Sequence, residues 1–250
     1  MFWDMRFLIR RKRTAAYSRV DGVLSASLAY GPAGRDCNVS RHGAGAVVIA
    51  LALALAMAAP ASADAAERTI LALGDSLTAG YGLAAEDGFT ARLEAALDRA
   101  GVPARVVNGG VSGDTSAGGL ARLDWLLADK PDLVIVELGA NDALRGLDPE
   151  DTRRNLDALV ARIRTSGADV LLAGMQAPPN LGREYGAEFN RIFPELAKRH
   201  KVALYPFFLD GVAADPALNQ ADGIHPNAKG VSVIVDRMLP ALLRALGEQG

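Results

Sequence analysis

The chain has 250 residues, half of them hydrophobic, enough for one good core rather than two. Its single cysteine, Cys37, excludes a disulfide framework or a thiolate metal site in everything downstream, and three histidines (His42, His200, His225) leave no multi-histidine metal centre. Lys and Arg number 27 against 29 Asp and Glu, a formal net charge of −2.

Residues 1–63 differ in kind from the rest. They carry a basic cluster, Arg10-Arg11-Lys12-Arg13, then an uncharged apolar run from Ala44 to Ala59, then Pro60-Ala61-Ser62-Ala63. A positive flank, a short apolar run and small residues at a cleavage position predict a secretory signal peptide cut after Ala63. The competing reading is a membrane anchor, for which the Ala-rich run is short against the ~20 apolar residues of a span. A start near Val39 would give a signal peptide of ordinary length, so residues 1–38 are expected to be an artefact of start-site assignment. Residues 64–250 form the expected mature domain, in the periplasm or secreted, without a stable membrane anchor. The removed segment holds eight Lys and Arg and three Asp and Glu, which leaves 19 basic and 26 acidic side chains, a net of −7. An acidic domain without a basic stripe argues against nucleic acid as a partner and against docking on anionic membranes.

From residue 67 the pattern alternates strand and helix. Ile70–Leu73 predicts a buried strand, broken at Gly74. Asp75 and Ser76 follow at the turn, where Ser76 is either an exposed nucleophile or a helix N-cap. Phe89, Leu93, Ala96 and Leu97 share a helical face that ends at Gly101 and Pro103. Ala104–Asn108 predicts a second strand, followed by the Gly-rich loop Gly109–Thr115 and a helix showing Leu120, Leu123 and Leu127. Leu133–Leu138 reads as a central parallel strand, interrupted near its end by Glu137. Gly139-Ala140-Asn141-Asp142 predicts a turn, and Leu156, Leu159, Val160 and Ile163 a helix. A fourth strand is expected at Val170–Ala173, a long loop over Gly174–Gly186, and a helix through Phe189, Ile192, Phe193 and Leu196 bent at Pro194. Val202–Tyr205 predicts a fifth strand, and a polar loop then carries Asp222-Gly223-Ile224-His225-Pro226. The last helix shows Val231, Ile234, Val235 and Met238, with a bend at Pro240.

Five strands alternating with helices predict a doubly wound α/β domain, a parallel sheet covered on both faces. Such sheets bind ligands at the carboxyl ends of their strands. Ser76, Gly113, Asn141 and the Asp222/His225 pair all follow strand ends, so all fall on one edge. A serine needs a base, and among residues following a strand end His225 is the only histidine. His200, at the polar end of a helix, reads as a surface residue or a helix cap. Asp222 could accept from one imidazole nitrogen and leave the other facing the serine; loop capping, or half of a metal site, would use the same spacing. Pro226 suits the first turn of a helix and so places His225 near a helix N-terminus. Gly113 can bring a bare N–H to an oxyanion and Asn141 an amide NH₂, although such residues also simply turn the chain and cap helices. The glycine loop lacks the spacing of a nucleotide site.

In order, Gly74-Asp75-Ser76-Leu77, Ser112-Gly113-Asp114-Thr115, Gly139-Ala140-Asn141-Asp142 and Asp222-Gly223-Ile224-His225-Pro226 resemble the four sequence blocks of the GDSL, or SGNH, hydrolases. The likeness extends over about residues 69–246 and is densest to the bacterial periplasmic arylesterase and thioesterase/lysophospholipase branch, as in Val136-Glu137-Leu138-Gly139, Gly118–Leu123 and Leu204–Phe208. The resemblance implies a flavodoxin-like three-layer α/β/α fold with sheet order 2-1-3-4-5. It implies Ser76 as nucleophile and backbone oxyanion donor, Gly113 and Asn141 as the other donors, His225 as base and Asp222 as its orienting partner. Ala140 departs from the Gly frequent at that place in relatives and is expected to stiffen the turn slightly. The implied activity is hydrolysis of esters or thioesters through an acyl-serine intermediate, of arylesterase, thioesterase or lysophospholipase type, with no cofactor and no metal. A catalytically inactive lipid- or glycan-binding protein on the same fold is the alternative. Asp142, Leu144 and Leu147 from one loop and Pro178, Leu181 and Tyr185 from another are expected to wall the acyl pocket. With Tyr185 the one aromatic in those loops, short to medium acyl esters and thioesters fit better than polysaccharide, and lysophospholipid is admitted.

Overall fold

The computed structural model describes residues 67–248; the expected signal segment, its cleavage point and the start-site question lie outside them. Five parallel strands form one sheet: β1 (Arg68–Gly74), β2 (Ala104–Gly110), β3 (Leu133–Glu137), β4 (Asp169–Ala173) and β5 (Ala203–Tyr205), in the order β2-β1-β3-β4-β5. The helices are α1 (Ser76–Ala79), α2 (Phe89–Arg99), α3 (Ser116–Leu126), α4 (Ala140–Leu144), α5 (Pro149–Ser166), α6 (Arg183–Asn190), α7 (Ile192–His200) and α8 (Ala228–Ala245). Helices α2 and α8 pack together on one face, and α3, α5 and α7 cover the other. This is the three-layer α/β/α arrangement with the expected strand order.

The central strand owes its place to composition. Leu133, Val134, Ile135 and Val136 are all buried, as a strand covered on both faces requires. Each such side chain contributes about 1.5–3 kcal/mol of burial. Glu137, next in line, is just as buried but carries a carboxyl group, which sets it apart from every other residue of the strand.

Register aligns the strand ends. Gly74 of β1 pairs with Gly110 of β2 on one side and with Glu137 of β3 on the other. A side chain on Gly110 would bring its Cβ to 2.3 Å from the Ala79 backbone nitrogen. The bare glycine therefore lets α1 lie directly on the end of β2.

Three local expectations are corrected. Gly174–Gly186 is not one long loop: Pro179–Leu181 forms a 3-10 turn and α6 starts at Arg183. Pro178 and Pro179 suit the entry of a helical turn, because proline lacks only an N–H that such a position leaves unused. The following helix is not bent at Pro194 but divided at Arg191 into α6 and α7. Pro194 cannot donate to Asn190, and its ring would strike that carbonyl, so it sits in the first turn of a new helix. Pro226 lies before the first turn of α8 rather than in it. The N-cap is Asn227, whose side chain accepts from the Lys229 and Gly230 N–H groups. Pro240 lies inside α8, which continues to Ala245.

Candidate active site

At the end of β1 the chain turns through Asp75 into α1. Asp75, not Ser76, is the N-cap, its Oδ1 accepting from Leu77 N–H at 3.0 Å. Ser76 is therefore the first helical residue, and its own N–H has no acceptor within the helix. Its hydroxyl lies 2.9 Å from His225 Nε2, and His225 Nδ1 lies 2.7 Å from Asp222 Oδ2. The remaining oxygen of Asp222 accepts from the N–H groups of Ile224 and His225, both at 3.0 Å. Those two backbone donors, with the imidazole, hold the Asp222 carboxyl down at about 2. An ionised Asp222 has no proton to give, so Nδ1 carries the ring proton and Nε2 is free to accept from Ser76.

The loop carrying this pair is held at its neck. Asn219 and Pro226 form an isolated antiparallel bridge, and Gln220 N–H donates to the His225 carbonyl at 2.8 Å. Gln220 also donates to the carbonyl of Tyr81 at 2.8 Å. The Tyr81 ring lies 4.6 Å from the imidazole, tilted by 36°.

The two expected oxyanion donors stand opposite. Gly113 adopts φ 79°, a left-handed conformation, and among the described residues its N–H donates to no protein acceptor. Asn141, in α4, spends one amide hydrogen on Asp75 Oδ2 at 2.9 Å. Beneath them lie two buried carboxyls. Asp75 N–H and the Thr78 hydroxyl donate to Glu137 Oε2 at 3.3 and 2.7 Å. Burial pushes Asp75 up to about 6, and burial together with the neighbouring Asp75 pushes Glu137 well above the usual carboxylate range.

Ser76, Gly113, Asn141 and His225 all line a cleft of about 630 Å³, with apolar walls from Leu144, Met175, Pro178, Phe207 and Ile224. Of the residues expected to contact substrate, Leu144 and Pro178 are in this lining; Asp142, Leu147, Leu181 and Tyr185 are not. Asp142 is buried, accepting from Ser116 N–H at 2.8 Å, from the Ser116 hydroxyl and from the Thr152 hydroxyl at 3.2 Å. A buried carboxyl group needs those partners, and its oxygens are taken up by them rather than by a ligand. Tyr185 donates its hydroxyl to the Leu147 carbonyl at 2.8 Å and stacks on Phe189, so it braces the Leu147 loop from outside the cleft. Leu181 is partly buried and packs on the core. His200 pairs with Asp157 at 2.7 Å, remote from the cleft.

Tyr81, Met175, Phe207, Leu209, Ala213 and Ala214 also line the cleft and are not among the residues expected there. Phe207 follows β5 and was open to the same strand-end rule as the others. Nothing in the sequence marks Ala213 or Ala214.

Residues 72–233 match the family model of the GDSL-like lipase/acylhydrolase family. The chain is 46% identical over 179 residues to Esterase TesA of Pseudomonas aeruginosa, covering 71% of this chain and 89% of the relative. It is 43% identical to the Thioesterase 1/protease 1/lysophospholipase L1 of Escherichia coli over 71% of this chain and 85% of that one. Among solved structures, the crystal structure of TesA superposes with a TM-score of 0.69 at 45% identity, over 71% of this chain and 99% of that one. Sequence, strand order and matched length agree, and the chain belongs to the GDSL-like lipase/acylhydrolase family.

Proposed function

We propose that Ser76, His225 and Asp222 are the catalytic residues of this carboxylic ester hydrolase, and that it cleaves esters and thioesters with short to medium acyl groups. The observation that carries this reading is the relay itself: 2.9 Å from Ser76 Oγ to His225 and 2.7 Å on to Asp222, beside backbone N–H groups with no other acceptor among the described residues.

In the first step His225 Nε2 takes the Ser76 proton as Oγ bonds to the substrate carbonyl carbon. The carbonyl oxygen becomes an oxyanion, taken up by the N–H groups of Ser76 and Gly113 and the second amide hydrogen of Asn141. The bond to the leaving oxygen or sulfur then breaks, and His225 hands that atom the proton. Water, deprotonated by His225, attacks the acyl-Ser76 carbonyl; the acid leaves and Ser76 recovers its proton. Throughout, Asp222 keeps the imidazole in the required tautomer and stabilises its charged form.

Substrate scope follows from the walls. Leu144, Met175 and Pro178 offer apolar contact to an acyl chain, and Phe207 and Ile224 offer the same on the facing side. Lysophospholipids are within this class. The net charge of −7 expected for residues 64–250 disfavours nucleic acid as a partner. The apolar run and Ala61-Ser62-Ala63 support export to the periplasm or beyond. Among the described residues no helix is long and apolar enough to cross a membrane.

The test is covalent labelling by a fluorophosphonate, with hydrolysis of p-nitrophenyl esters of graded chain length. Wild-type protein should be labelled at Ser76 and turn over esters, and Ser76→Ala should do neither. Label on another residue would overturn the assignment, and absence of both label and turnover would leave the inactive binding protein as the better account.

A further inference from the structure

Beyond the residues that line the cleft, one side chain binds together the elements that carry them. Arg122, on α3, is mostly buried and directs its donors to three places. Nε–H donates to Asp114 Oδ2 at 2.7 Å, Nη1–H to the Gly109 carbonyl at 2.6 Å and Nη2–H to the Gly74 carbonyl at 3.0 Å. Gly74 is the last residue of β1, two before Ser76. Gly109 lies at the end of β2. Asp114 directly follows Gly113. One planar cation thus links the strand that delivers the nucleophile to the loop that delivers the second oxyanion donor.

The loop is shaped to receive it. Asp114 N–H donates to the Val111 carbonyl at 3.0 Å, and Val111 N–H to Gly74 at 3.1 Å, which closes the turn around Gly113. Asp114 reaches Arg122 across Gly118, one helical turn earlier on the same face of α3. A Cβ on Gly118 would lie 1.7 Å from Asp114 Oδ1. Glycine is disfavoured within a helix relative to alanine, and here it makes room for the carboxylate. Exposed Arg145 donates to the Gly113 carbonyl at 2.6 Å, so the Gly113–Asp114 segment is held by Arg145 at its backbone and by Arg122 at the Asp114 side chain.

We propose that Arg122 is a positioning residue of the oxyanion hole, which sets the separation of the Ser76 and Gly113 N–H groups through its fork to Gly74, Gly109 and Asp114. A guanidinium suits this role because its donors are coplanar and always charged, whereas a lysine ammonium has no such planar fork. The inference rests on the assignment of Ser76 as nucleophile.

The test compares transition-state binding with ground-state binding. Arg122→Met, Arg122→Lys and Asp114→Asn are assayed for kcat and KM on p-nitrophenyl butyrate. Inhibition by butylboronic acid, whose serine adduct is tetrahedral and anionic, is measured alongside. A displaced donor should lower kcat about 10- to 100-fold in Arg122→Met, because misplacement by an ångström costs up to about 10²-fold. KM should stay within about twofold and the boronate inhibition constant should rise in step with the fall in kcat. Arg122→Lys should recover part of the loss. If Arg122→Met does not fold, Arg122→Lys and Asp114→Asn carry the same comparison. Unchanged boronate affinity in folded variants, or a kcat within twofold of wild type, would overturn the proposal. Fluorophosphonate label away from Ser76 in the wild-type enzyme would instead overturn the reading on which it rests.

Discussion

Replacing Asp222 by asparagine changes one atom's chemistry and little of its shape, yet the surrounding bonds dictate which atom suffers. Oδ1 of Asp222 accepts two backbone N–H groups, from Ile224 and His225. An asparagine must keep its carbonyl oxygen there, since its NH₂ cannot accept. The NH₂ is then forced into the place of Oδ2, 2.7 Å from His225 Nδ1. Two donors would face each other, so the ring must shift its proton to Nε2 and present Nδ1 as the acceptor. Nε2–H can no longer take the Ser76 proton. A serine hydrolase with this wrong tautomer loses about 10⁴ in kcat, and the same is expected here. Because the loop keeps both backbone bonds, the melting temperature should stay within about 2 °C, less than 1 kcal/mol of stability. The assay is kcat on p-nitrophenyl butyrate with ¹⁵N NMR of the imidazole. A loss below about 100-fold, or a spectrum showing the proton still on Nδ1, would refute the reasoning.

Asn141→Ala should lower kcat by about 10²–10³ through loss of one oxyanion donor. It should also lower the unfolding free energy read from urea by about 1–3 kcal/mol, because Asp75 Oδ2 loses the Asn141 donor; an intact rate would reject Asn141 as a donor. Asp75 is raised from 3.8 to about 6 by burial, so the folded protein holds that proton more tightly than the unfolded one. The stability it contributes is therefore present in acid and lost as pH rises through about 6. Urea unfolding at pH 4 and pH 7 should show wild type losing about 2 kcal/mol relative to Asp75→Asn across that interval, and a pH-independent difference would contradict the assignment. Gly110→Ala should push α1 off the end of β2, since the new Cβ meets backbone rather than a movable side chain. Fluorophosphonate labelling of Ser76 should slow at least about tenfold, and an unchanged labelling rate would show that α1 can yield without cost.

Most of the architecture was readable because its signals are local. The apolar runs of β1 to β5 and the i, i+3, i+4, i+7 faces of α2, α5 and α8 do not depend on distant partners. Strand order came from the family likeness, since a parallel sheet leaves no local trace of which strand lies beside which. Ser76, Gly113, Asn141 and His225 were legible because each follows a strand end. Asp142 misled because it sits beside Asn141 in sequence while the helical geometry of α4 turns it inward to Ser116 and Thr152. Tyr185 misled in the same way, its hydroxyl committed to Leu147. The bonds of Asp75 to Asn141 and of Arg122 to Gly74 span 66 and 48 positions, and no spacing rule reaches that far.

The bridge between Asn219 and Pro226 has a consequence for how this enzyme could be remade. It fastens the segment bearing Asp222 and His225 at its base, and the same Asn219 is tied back to the Val212 and Asp215 carbonyls at 2.7 and 2.8 Å. The stretch before that segment supplies Phe207, Leu209, Ala213 and Ala214 to the cleft wall and the Val212 carbonyl to Asn219. The two are joined through the Val212 backbone, so side chains rather than the stretch itself can be exchanged. Side-chain libraries at Phe207, Leu209, Ala213 and Ala214 could therefore redraw which acyl groups are accepted while the bond from Asn219 to the Val212 carbonyl is kept.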